Sequence, residues 1–128
     1  MEGKTILVVE DNEVNMKLMR AVLHLGQYRI LEAADAETGL VLTREHHPDL
    51  ILMDIQLPGM DGLSATRLIK ADPELKGIPV IALSGFAMEE DKEKAMSIGF
   101  SGYIVKPFRV KEFLQTIAGY FIPYPAEP

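Results

Sequence analysis

The chain has 128 residues, no cysteine and a formal net charge of −6. Lack of thiols excludes a disulfide framework and a thiolate metal site, the acidic balance opposes a phosphate backbone and argues against nucleic-acid binding, and no apolar run reaches the roughly 18 residues of a membrane span. One domain with a substantial core is expected, in a soluble, cytoplasmic protein without repeats or low-complexity segments.

Thr5 to Val9 is a β-branched apolar run that stops at Glu10-Asp11-Asn12, residues suited to a strand end and a helix N-cap. From Glu13 the pattern turns helical. Val14, Leu18, Ala21, Val22 and Leu25 recur at i, i+4, i+7, i+8 and i+11, which predicts a core face, with Gly26 as the stop. Met16, Met19 and Leu23 form a second helical series, so this helix is apolar around more of its circumference than one buried face requires.

Tyr28 to Leu31 predicts a second strand. Asp35 then caps a helix whose Ala36, Leu40 and Val41 point inward, and Pro48 ends it. Leu50 to Met53 is a short apolar run bounded by polar residues, the pattern of a strand buried on both faces, and it ends on Asp54. The chain turns at Pro58-Gly59, and Asp61 caps a helix running to Ala71, with Leu63, Thr66, Leu68 and Ile69 available for packing and Asp72-Pro73 closing it.

Pro79 to Leu83 predicts a fourth strand, ending on Ser84-Gly85. The Glu- and Lys-rich stretch from Met88 to Ile98 predicts a helix with a solvated face over Ala95, Met96 and Ile98, stopped at Gly99. Tyr103 to Val105 predicts a fifth strand ending at Lys106-Pro107. Val110, Phe113, Leu114, Ile117 and Phe121 mark a last amphipathic helix, and 123–128 is a short proline-broken tail.

Alternating strands and helices imply parallel strands joined by crossovers, hence a doubly wound five-stranded α/β sheet with helices on both faces. Strand ends one, three, four and five then bring Glu10-Asp11, Asp54, Ser84 and Lys106 to the carboxyl edge, where ligands bind in such sheets. Clustered carboxylates suit a hard divalent cation such as Mg²⁺, which takes one or two of them together with phosphate oxygens. A lysine ammonium and a hydroxyl would hold the remaining phosphate oxygens.

This set, each member at its strand end and in this order, resembles the receiver domain of two-component response regulators, over about Lys4 to Phe121. Asn15-Met16-Lys17-Leu18 and Asp54-Ile55-Gln56-Leu57-Pro58 are similar to stand-alone receivers of the cell-cycle type. The resemblance implies a receiver domain over 1–122 with no effector domain. Asp54 would accept a phosphoryl group from a phosphohistidine, Asp11 and Asp54 would ligate Mg²⁺ directly, Glu10 would do so through water, and the Gln56 carbonyl would complete the ligands. Lys106 would pair with the phosphoryl group, Ser84 would swing in to bond it, and Tyr103 would follow as a switch. The Lys106-Pro107 peptide would be cis. Many members of the family carry threonine where this chain has Ser84, which keeps the hydroxyl and lacks the methyl.

Partners implied are a histidine kinase or phosphotransfer protein and a downstream target, with a monomer or a phosphorylation-dependent dimer as the state. Met16, Met19 and Leu23 then have two readings, core filling or a docking stripe for the phosphohistidine donor. Tyr103 likewise either packs on the sheet edge or switches. His24, His46 and His47 are expected in solvent, since adjacent His46 and His47 lie on different helix faces.

Three rivals fit less well. An aspartate phosphatase of the haloacid-dehalogenase type needs a second aspartate where this chain has Gln56, and a nucleotide-binding flavodoxin-like module needs a Gly-rich loop after the first strand. A degenerate receiver serving as a passive binding module is opposed by the intact acidic pair, acceptor and lysine.

Overall fold

The computed structural model describes residues 3–57, 59–85 and 88–121; Pro58 of the expected Pro58-Gly59 turn and the tail 123–128 lie outside the described residues. Strands and helices alternate without exception: β1 (Thr5–Val9), α1 (Glu13–Leu25), β2 (Arg29–Ala33), α2 (Ala36–His46), β3 (Leu50–Asp54), α3 (Gly62–Ala71), β4 (Val80–Ser84), α4 (Glu89–Ile98), β5 (Gly102–Val105) and α5 (Val110–Ala118). All pairings are parallel, in the order β2-β1-β3-β4-β5. β1, β3 and β4 are each paired on both sides, which supplies ladder partners along both of their edges.

Side chains alternate across a strand, and that alternation splits the interior into two cores. Ile6, Val8, Leu50, Leu52, Ile81 and Leu83 meet α1 and α5 on one face, through Met16, Met19, Val22, Leu23, Phe113 and Ile117. Leu7, Val9, Ile51, Met53, Val80 and Ala82 meet α2, α3 and α4 on the other, through Ala36, Leu40, Ala65, Ile69 and Ala95. The apolar strand runs are therefore unbroken because both of their faces are covered.

The structure corrects the phase of α1. Its buried residues are Met16, Met19, Val22 and Leu23, while Val14, Leu18 and Leu25 are 75%, 50% and 70% exposed and Ala21 is exposed. Of the predicted core series only Val22 packs inward, and the Met16, Met19 and Leu23 series faces the sheet. Both series have helical spacing, so periodicity alone left the choice open; the long, flexible methionines fill the irregular space over β1 and β3.

Smaller corrections concern exposed apolar residues of the other helices and one strand boundary. In α2 the inward stripe is Ala36, Gly39, Leu40 and Thr43, and in α3 it is Gly62, Ala65, Thr66 and Ile69, each at i, i+3, i+4 and i+7. Val41 and Leu68 sit one residue, or 100°, beyond those stripes and are exposed, as are Met96 of α4 and Val110 of α5. β2 is displaced toward Ala33, because Tyr28 is buried before the strand begins, with its ring 5.7 Å from that of Phe121.

Candidate functional site at the carboxyl edge of the sheet

Four strand ends build the site. The amide of Glu10 donates to the Ala33 carbonyl at 3.0 Å, which carries the β1–β2 pairing one residue beyond β1 and fixes Glu10 at the edge. Asn12 then turns the chain into α1, its side chain accepting the Asn15 amide at 3.0 Å. Asp11 stands exposed between them, whereas Glu10 is buried. β3 delivers Asp54, which is also buried, and β4 delivers Ser84, fully buried. The Lys106 amide donates to the Ser84 carbonyl at 2.7 Å, so the β4–β5 pairing places the lysine.

Lys106 joins the acids. Its Nζ donates to Glu10 Oε1 at 2.9 Å and to Asp54 Oδ2 at 3.1 Å. The other Asp54 oxygen, Oδ1, accepts the Gln56 amide at 2.8 Å, and the Asn12 amide donates to Glu10 Oε2 at 3.3 Å. Asp54 is thus held at both oxygens, each with lone-pair capacity remaining. Burial, and after it contact with Asp54, pushes the Glu10 carboxyl above the ordinary carboxylate range despite the opposing pull of Lys106. Burial alone would lower the Lys106 ammonium, but its hydrogen bonds to Glu10 and Asp54 outweigh that and raise it.

Glu10, Asp11 and Asp54 each offer a carboxylate oxygen, and these oxygens lie within 4.8 Å of one another. The donor set is all hard oxygen, without thiolate or imidazole, and it carries more negative charge than Lys106 balances. It fits a hard divalent cation.

The structure gathers Glu10, Asp11, Asp54, Ser84, Gln56 and Lys106 at this edge, and the Lys106-Pro107 peptide is cis as expected. Tyr103 is half-buried and packs against the core beneath α2, α3 and α4. Met16, Met19 and Leu23 are not a docking surface: all three are buried in the core of the other face, and only Met19 also reaches a groove. That groove, about 330 Å³, is lined by Glu10, Asn15, Leu18, Met19, Lys106, Pro107 and Phe108. His24, His46 and His47 are exposed as expected.

Sequence reasoning missed the Glu10–Lys106 bond, which spans 96 positions; an isolated acid and an isolated lysine carry no local sign of pairing. It also missed Glu37, whose Oε1 accepts the Met60 amide at 3.2 Å across the loop after Asp54.

Comparison with known proteins agrees with this geometry. The response regulator receiver domain family matches residues 6–118. The chain is 48% identical over 117 residues to the polar-differentiation response regulator DivK of Brucella ovis, covering 91% of this chain and 95% of the relative. Among solved structures it resembles the receiver domain of the sensor histidine kinase PA1611 from Pseudomonas aeruginosa PAO1, whose active-site cleft coordinates a magnesium ion, at 36% identity and a TM-score of 0.85, covering 92% of this chain and 97% of that one. It also resembles the Mn²⁺-bound form of the response regulator Rcp1, at 27% identity and a TM-score of 0.77, covering 96% and 99%.

Proposed function

The chain belongs to the response regulator receiver domain family, and from that premise we propose that it is a phosphorylation switch in which Asp54 takes a phosphoryl group from a phosphohistidine. One observation carries the reading: a lysine bonded at once to Glu10 and Asp54, inside a cluster of three carboxylates at the sheet edge.

In the transfer, an Asp54 oxygen forms a bond to phosphorus as the donor's P–N bond breaks and its electron pair returns to the imidazole. The product is an aspartyl phosphate. Lys106 loses an anionic oxygen of Asp54 as partner and gains one on the phosphoryl group, so its charge stays paired throughout. The Gln56 amide keeps the carboxylate oriented for in-line approach. Asp11 and Asp54 would hold Mg²⁺ directly, Glu10 through water and Gln56 through its carbonyl. When bound, the ion offsets the negative charge of the carboxylates and the phosphoryl oxygens. Ser84 is assigned the hydroxyl that turns toward the phosphoryl group, and Tyr103 the ring that follows it.

The donor is a histidine kinase or phosphotransfer protein, and output is binding to a target protein, in the cytoplasm, by a monomer or a phosphorylation-dependent dimer. The donor's surface on this chain is the exposed side of α1. Val14, Leu18, Ala21 and Leu25 form an apolar stripe, and Leu18 leads from it into the groove beside Glu10 and Lys106. A helical bundle presenting a phosphohistidine from that side reaches Asp54 without crossing a helix.

Incubation with acetyl phosphate and Mg²⁺ should add one phosphoryl group by intact mass, and Asp54→Asn should abolish it. A variant labelled as fast as the original, with equal lability, would remove Asp54 from the role. Leu18→Glu should slow transfer from a phosphohistidine donor at least tenfold, while labelling by acetyl phosphate is preserved; equal loss of both would place Leu18 in the fold instead of the interface.

A further inference from the structure

We propose that Glu37 is a positioning residue for the phosphoacceptor loop, described at 55–57 and 59–61, and that through this loop it sets the affinity of the cation site. The proposal rests on the reading of Asp54 given above.

The loop leaves the sheet at Asp54 and returns almost onto it. A Cβ at Gly62, the first residue of α3, would stand 2.5 Å from the Asp54 carbonyl oxygen and 2.9 Å from the Ile55 Cα, so α3 starts in direct contact with the strand end it has just left. Movement of the α3 start is therefore passed to the backbone of Asp54 by contact. The near side of the loop is tied to the sheet and to the acceptor itself: the Ile55 amide donates to the Leu83 carbonyl at 3.2 Å and the Gln56 amide to Asp54 Oδ1 at 2.8 Å.

The far side is tied to a different element. Glu37 lies in the first turn of α2, a turn fixed by Asp35, whose carboxylate accepts the Thr38 amide at 2.7 Å. From there Glu37 reaches over the loop to the Met60 amide. Both its oxygens also lie near Gly59, 3.8 and 3.9 Å from where a Cβ would be, and Gly59 has φ +71°. The carboxylate thus stands in van der Waals range of Gly59, and a side chain there would be strained by its left-handed backbone. Among the described residues Glu37 makes no ion pair; its hydrogen bond is to a backbone amide, at 3.2 Å.

Gln56 lies between the near and far ties, one residue beyond Ile55, while Asp54 ends the strand at the near tie. Loosening the far tie frees the loop to place the Gln56 carbonyl elsewhere, so the loss falls on cation affinity before it falls on phosphoryl transfer.

The test is a Mg²⁺ titration of the original protein, Glu37→Ala and Glu37→Gln, read from the amide resonances of Gln56 and Met60, beside acetyl phosphate labelling at saturating Mg²⁺. Glu37→Ala should raise the half-saturating Mg²⁺ concentration by about tenfold and label at the original rate once saturated. Glu37→Gln keeps a carbonyl acceptor and should stay within about twofold. An unchanged midpoint in Glu37→Ala overturns the proposal, as does a glutamine variant as weak as the alanine one. A lower melting temperature in chelator with an unchanged midpoint also overturns it, showing a purely structural role. Failure of the original protein to bind Mg²⁺ or to be labelled overturns the phosphoacceptor reading beneath it, and is seen before any variant is made.

Discussion

Glu10 is buried next to Asp54 with one cation between them, and its carboxyl is raised above its ordinary value by that burial first and by Asp54 second. A carboxyl whose folded pKa is raised binds its proton more tightly in the native state than in the unfolded one. Its stabilising contribution is present below the unfolded value near 4.5 and is lost as pH rises through the raised folded value. Glu10→Gln removes that dependence and leaves Lys106 its bond to Asp54. In chelator, the stability of the original protein relative to the variant should therefore fall as pH is raised from 4.5; urea melts across that interval measure it, and a difference independent of pH would contradict the assignment. Thr66 is a second residue with a one-sided environment: it is fully buried in α3 and, among the described residues, its hydroxyl has no hydrogen-bond partner. Thr66→Val keeps the shape and deletes the unmatched oxygen, so it should stabilise by about 1 kcal/mol in denaturant melts.

At the scale of elements, helix ends were legible and helix phase was not. Asp35 and Asp61 accept the Thr38 and Ser64 amides as an N-cap should, and both were readable because an N-cap is a local event of a few residues. The phase of α1 depends on what the sheet presents to it, and the sequence of α1 contains two apolar series of equal period. The strand-end residues were legible for the opposite reason: a buried strand is bounded on both sides by composition, so its last residue is marked. Glu37 stayed hidden because its partner is a backbone amide 23 positions away. The end of α1 shows a further division of labour. Gly26, the expected stop, is the C-cap but has φ −83°; it is glycine because a Cβ there would lie 2.6 Å from the Tyr28 ring. The left-handed residue is Gln27, at φ 62°. Gln27→Gly should relieve that backbone and stabilise by about 1 kcal/mol, checked by chemical denaturation.

Over the whole molecule, the acid cluster brings like charges together, so a divalent cation bound there would link metal and fold. At a Mg²⁺ concentration 100 times the dissociation constant, mass action adds about 2.7 kcal/mol to the native protein. Asp11→Asn deletes an exposed member of the cluster with little effect on packing. It should melt at or above the original temperature in chelator and gain far less from millimolar Mg²⁺. A variant that gains as much as the original would take Asp11 out of the cation site. No described helix is long and apolar enough to cross a membrane.

The position of Lys106 has a consequence for the newly made chain. Its two partners lie 96 and 52 residues earlier, and the strand that carries it is the last of five to join the sheet in synthesis order. At about 5–20 residues per second, a ribosome exposes both acids seconds before the lysine that bridges them. During that interval the acceptor and its neighbouring carboxylates exist without their cation, on a sheet whose β4 edge is still open. In the proposed switch, the acid cluster would therefore gain its bridging lysine only with the final strand.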